Sequence, residues 1–101
     1  MKKVKITVLR RTEYPDLIER YEQPLEVPCA MVIGTVFVSE NAAMPDGLCP
    51  IAWRETLESF VKTLAAGGGS FYGDWMKDPY SAMVSCNDGF RPVTYLLEAQ
   101  D

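Results

Sequence analysis

The sequence predicts an α+β domain: a small, mostly antiparallel sheet with a C-terminal hairpin, one long helix over about residues 50–66 packed on it, and a short helix over about 14–22. Three observations carry that reading. Val4, Ile6 and Val8 alternate with Lys3, Lys5 and Thr7, the period-2 pattern of a half-buried strand. A long amphipathic run lies between Pro50 and Gly67-Gly68-Gly69. Near the C-terminus, two alternating apolar runs flank Asn87-Asp88-Gly89, a hairpin signal that forces antiparallel pairing.

The remaining elements follow in order. After the first strand, Tyr14, Leu17, Ile18 and Tyr21 stand at i, i+3, i+4 and i+7, with Pro15 tolerated in the first turn and Gln23-Pro24 as the stop. Residues 25–40 are rich in β-formers, and Thr35 to Ser39 is the best strand in them. Gly34 marks a turn or bulge before it, while a separate strand over 26–31 is left open by the pattern. Asn41 to Gly47 reads as a loop. In the main helix Trp53, Leu57, Phe60, Val61 and Leu64 share a face, opposite Arg54, Glu55, Glu58 and Lys62. Pro50 suits the first helical position, which puts Cys49 at or beside the N-cap, and the three glycines end the helix. Residues 67–80 form a long loop holding Phe71, Tyr72, Trp75 and Tyr80.

The chain of 101 residues is read as one domain, with 48% hydrophobic and 24% charged residues. Its net charge of −4 argues against nucleic acid as a partner. The positive charges of Lys2, Lys3, Lys5, Arg10 and Arg11 cluster on the first strand, where they suggest a solvated sheet edge. No apolar run reaches membrane-spanning length and the N-terminus has no signal-peptide core, so the expectation is a cytoplasmic protein with no membrane partner. Three cysteines, an odd number, then imply reduced thiols rather than a disulfide framework.

Those cysteines are the chemically interesting residues, because each has a backbone-breaking neighbour: Pro28-Cys29, Cys49-Pro50, and Cys86 before Asn87-Asp88-Gly89. Cys49 is the sharpest candidate. A thiol at a helix N-terminus faces the positive end of the dipole, which favours thiolate; its apolar neighbours Leu48 and Ile51 act the other way. Cys86 shares its strand face with Ala82 and Val84, so burial is the plainer reading of it. The three thiols are also a weak candidate for a soft-metal site, which as zinc would need a fourth ligand such as Asp46 or Asp88. No Cys-x-x-Cys is present, and the absence of histidine removes Ser-His-Asp, Cys-His and imidazole-metal designs within one chain. Arg91, held between Phe90 and Pro92, is either a carboxylate-binding guanidinium or the internal partner of Asp88 or Glu55. The loop aromatics Tyr72 and Trp75, with Phe71 and Tyr80, either complete a small core or line a pocket or subunit interface.

The segments Gly47-Leu48-Cys49-Pro50-Ile51-Ala52-Trp53, Gly67-Gly68 and Cys86-Asn87-Asp88-Gly89-Phe90-Arg91-Pro92-Val93, with the opening Lys-Val-Lys-Ile-Thr-Val-Leu, resemble an uncharacterised family of small bacterial and archaeal proteins. Cys29 matches that family's Pro-Cys position. The chain departs from it at Ser85-Cys86, often Cys-Cys there, and at Cys29-Ala30, often Cys-Pro. The resemblance implies recurring cysteines and no assigned activity.

Two functional expectations result. The first is a non-enzymatic binding or oligomerisation module, a homo-oligomer with a dimer favoured. Its pocket or interface would be built from the aromatic loop 70–80 and the cysteine-bearing loop ends, with a small-molecule ligand as an option. The second is a thiol-based redox or soft-metal protein using Cys49 with Cys86, Cys29 or both. Neither names a cofactor, a catalytic residue or a reaction.

Overall fold

The computed structural model describes residues 1–24 and 29–101. The open question of a strand over 26–31 falls mainly outside the described residues, and Cys29 to Met31 is neither strand nor helix. Four strands form one antiparallel sheet: β1 (Lys3–Arg11), β2 (Val36–Ser39), β3 (Ser81–Ser85) and β4 (Val93–Gln100), in the order β2-β1-β4-β3. Helix α1 (Pro15–Tyr21) lies between β1 and β2 in the chain. The main helix α2 runs 16 residues as three continuous segments, Pro50–Ala52, a π-turn at Trp53–Leu57, and Glu58–Ala65. This is the α+β fold that the alternation and the long amphipathic run predict.

Alternation decides which side chains face α2. Val4, Ile6 and Val8 of β1, Val93, Tyr95 and Leu97 of β4, and Ala82 and Val84 of β3 turn inward and are buried. Trp53, Leu57, Val61 and Leu64 of α2 meet them and close the core. Phe60, on the rim of that helix face, is only half-buried.

The ends of α2 follow the sequence signals. Cys49 is the N-cap with Pro50 in the first turn, and its carbonyl accepts the Trp53 N–H at 3.0 Å. The π-turn is registered by the Glu58 N–H reaching back to the Trp53 carbonyl, and by Thr56 Oγ1 donating to the Ala52 carbonyl at 2.9 Å. At the other end Gly67, at φ +90°, donates to the Leu64 carbonyl and Gly68 to that of Thr63, a Schellman closure. Gly69 is required for a different reason: a Cβ there would collide with the Pro79 carbonyl, which accepts the Ser70 N–H at 2.7 Å.

Three expectations need correction. The basic cluster does not mark an edge, because β1 is a central strand between β2 and β4. Its lysines are accommodated because alternation sends them to the sheet face opposite α2, and Lys3 pairs there with Glu40 at 3.2 Å. The apolar stripe of α1 does not enter the core: no α1 residue is buried, and Leu17 and Tyr21 are exposed. The helix is tied down instead by the Tyr14 N–H on the Phe90 carbonyl at 3.0 Å and by an ion pair between Glu22 and Arg91. Finally, the β3–β4 connection is not a tight Asp-Gly turn but runs from Cys86 to Pro92, because Asp88 Oδ1 accepts the N–H groups of Phe90 and Arg91 and widens it.

Leu57, fully buried between helix and sheet, is the point where the packing is tested. Leu57→Ala is expected to lower unfolding free energy by about 2–5 kcal/mol. The exposed Ile51→Ala should stay within about 0.5 kcal/mol of the parent. Urea unfolding followed by circular dichroism checks both.

Candidate functional site

Each cysteine is delivered to the hairpin end of the core by a different piece of chain. Cys86 directly follows β3 and extends its pairing by one residue: its N–H donates to the Val93 carbonyl at 2.9 Å, and its Sγ accepts the Val93 N–H at 3.2 Å. Cys49 is set by the start of α2, and its side chain makes no capping hydrogen bond. Cys29 stands on the irregular segment leading to buried Met31. All three are free, half-buried, and packed against the core.

All three act electrostatically on a fourth residue. Tyr95 lies two positions beyond Val93 on the same face of β4 and is 0% exposed. Its hydroxyl is the one buried side-chain polar atom among the described residues without a hydrogen-bond partner. Burial raises the pKa of this phenol well above the usual tyrosine value, and the charges of Cys49, Cys86 and Cys29 act in the same direction. An unpartnered hydroxyl is thus held in the core within electrostatic reach of three thiols. The sequence marks Tyr95 only as an inward strand position; the overlooked signal is a phenol where phenylalanine would fill the same space without a polar atom to satisfy.

The other candidate residues are placed elsewhere. Asp88 is occupied by the turn N–H groups described above. The Arg91 guanidinium pairs with Glu22 and stands 3.9 Å from Glu13, so its carboxylate partners come from the α1 region and not from Asp88 or Glu55. Tyr72 and Trp75 belong to the far end of α2. There Phe71 packs on Phe60 with ring centroids 4.9 Å apart, and Tyr72 stands edge-on to Trp75 at 5.1 Å. Tyr80 sits at the same end, its carbonyl accepting the Ala99 N–H, which puts it about 20 Å along β4 from Val93. Phe71 therefore folds back on the core, whereas Tyr72 is 78% exposed and carries a positive φ of 51°. The cavity between them, about 250 Å³, is lined by Ser59, Phe60, Thr63, Phe71 and Tyr72, with no cysteine. Aromatic loop and thiols are two separate places on this fold.

Among the described residues no three or more cysteine, aspartate or glutamate side chains are already grouped to hold a metal ion, and no helix is long and apolar enough to cross a membrane. Comparison with family models, curated proteins and solved structures returns no match. The site is therefore read from its own chemistry.

The buried phenol makes a pH prediction. Because the folded pKa is raised, its contribution is fully present below the unfolded tyrosine value of about 10 and is lost as pH rises above it, where the unfolded chain releases a proton that the folded chain retains. Between about pH 9 and 11 the urea midpoint of the parent should therefore fall more steeply than that of Tyr95→Phe. At neutral pH the variant should be as stable as the parent or about 1 kcal/mol more so, since it removes an unpartnered hydroxyl.

Proposed function

We propose that the chain is a small non-enzymatic thiol module of a reducing, cytoplasmic compartment, in which Cys49 is the reactive sulfur and Cys86 or Cys29 its resolving partner. The observation that carries this reading is the fully buried, unpartnered Tyr95 hydroxyl beside three free thiols. A buried polar atom without a partner costs about 1–3 kcal/mol, a cost that a redox or catalytic role is one way to explain. A phenol O–H has no good acceptor in a neutral thiol but a strong one in a thiolate or sulfenate. The hydroxyl is thus matched to the charged form of a sulfur.

Two further features support the assignment of roles. Cys49 is the N-cap of the 16-residue helix, at the end where backbone N–H groups lack intrahelical partners. The π-turn one turn away is of a kind that recurs at functional sites. With a hydroperoxide as oxidant, the Cys49 thiolate attacks the distal oxygen, the O–O bond breaks, and the leaving alkoxide takes a proton and departs as alcohol. The resulting sulfenic acid is attacked by the second thiol, forming the S–S bond and releasing water. A soft-metal role uses the same sulfurs, but Asp88, the carboxylate nearest in sequence to Cys86, already serves turn N–H groups.

Alkylation kinetics of the native protein near neutral pH test the proposal. One fast-reacting thiol is expected, lost in Cys49→Ser and slowed about tenfold in Tyr95→Phe, which removes the hydroxyl that the proposal assigns to the charged sulfur. Stoichiometric peroxide should yield an intramolecular disulfide that includes Cys49. Three thiols reacting no faster than in the unfolded chain, with no such disulfide, would overturn it.

A further inference from the structure

The sheet has two faces, and α2 covers one. On the other, Val36 and Val38 of β2 are close to half exposed, and Leu96 of β4 lies between Thr7 of β1 and Met83 of β3 in one cross-strand row. Two residues further along, Lys5 and Glu98 stand directly opposite each other across β1 and β4, and neither makes an ion pair with any described residue. A flat apolar strip beside two unengaged opposite charges is a docking surface with a definite charge pattern.

We infer that this face binds a second copy of the chain, about a two-fold axis running parallel to the strands between β1 and β4. The order β2-β1-β4-β3 is balanced about that line. Rotation about it carries β1 over the partner's β4, and β2 over the partner's β3, without changing the level of any residue along the strands. Lys5 and Glu98 share a level, so Lys5 meets the partner's Glu98 and Glu98 meets the partner's Lys5. Val36, Thr7, Leu96 and Met83 share the next level on that face, so the apolar strip meets its own copy. A helix or peptide of arbitrary sequence has no reason to repeat this arrangement, whereas an identical chain does so by symmetry.

The dimensions are sufficient. The paired length of β1 and β4 from Lys3 to Arg10 at about 3.4 Å per residue, flanked by the shorter β2 and β3 at strand spacings of about 4.8 Å, gives a face on the order of 400 Å² in projection. Side-chain relief raises the accessible area towards the roughly 800 Å² per partner of a standard interface. Face-to-face sheets pack about 10 Å apart, within reach of a lysine and a glutamate extended toward each other. The surface is distinct from the thiol site, and the inference stands independently of the proposed chemistry.

Sedimentation equilibrium of the parent and of Lys5→Glu and Glu98→Lys tests it. The parent is expected to be a dimer, and each charge reversal to weaken it about a hundredfold, because like charges then face each other twice across the axis. Circular dichroism establishes that each variant folds. An equimolar mixture of the two variants should dimerise again, since it sets the carboxylates of one against the amines of the other across the axis, while the charges within each chain are unchanged by mixing. A monomeric parent overturns the inference. So does a mixture no tighter than its components, or a dimer that ignores both reversals and dissociates in Tyr72→Asp, which would put the interface on the aromatic loop.

Discussion

Everything in this fold depends on the pairing of β1 with β4, the first and last strands of the chain. Their ladder runs from Lys3 with Gln100 to Arg11 with Val93, with one irregularity between Val8 and Arg10. Because side chains alternate, a slip of one residue would reverse the facing of one strand relative to the other. Either Val4, Ile6 and Val8 would leave the core and Lys5 enter it, or Val93, Tyr95 and Leu97 would leave and Glu98 enter. The register is thus held by a large difference in burial energy, on the order of 2 kcal/mol for each aliphatic side chain. α2 has a surface to pack on only once that register is set.

The same register gives the two ends of the sheet different chemistry. At the end near Val93, β3 runs into Cys86 and α2 begins at Cys49, so turn and helix start bring sulfur to the inner face beside Tyr95. At the end near Ala99, α2 has finished and the chain from Gly67 to Tyr80 closes over Phe60 with Phe71. Apolar filling serves the second end, and the buried hydroxyls there are satisfied: Ser39 donates to the Ala43 carbonyl and Ser81 to the Asp78 carbonyl. Polar need is concentrated at the first, where a phenol sits in the core without a neutral partner. A core selected for stability alone would hold phenylalanine at residue 95, which is why the proposed chemistry is centred on this hydroxyl.

How much of this was legible in the sequence depends on the range of the physics involved. Local signals were read well: Pro50 and Gly67-Gly68 bracket α2 through first-turn and left-handed backbone preferences that act within a few residues. The inward alternation of β1, β3 and β4 is likewise a property of each strand alone. Pairing is not. The lysines of β1 looked like an edge because they are polar, yet a sheet covered on one side accepts them in a central strand. The apolar spacing of α1 marked a short amphipathic helix, but its position is set by Arg91 with Glu22, residues 69 apart in sequence. The electrostatic reach of Cys29, Cys49 and Cys86 on Tyr95 is long-range in the same sense. Their spacing resembled no known ligand pattern, and among the described residues no three such side chains are grouped to hold a metal ion.

The central claim is that one buried, unpartnered hydroxyl lies within electrostatic reach of three thiols, and the hydroxyl itself can report it. In protein labelled with 13C at the tyrosine ζ carbon, the Tyr95 resonance is followed by NMR in Cys29→Ser, Cys49→Ser and Cys86→Ser, with the other tyrosines as internal references. The account predicts that each single replacement shifts the Tyr95 signal while the remote Tyr21 and Tyr72 signals stay in place. A Tyr95 resonance indifferent to all three replacements, or one moving with the other tyrosines, would contradict it.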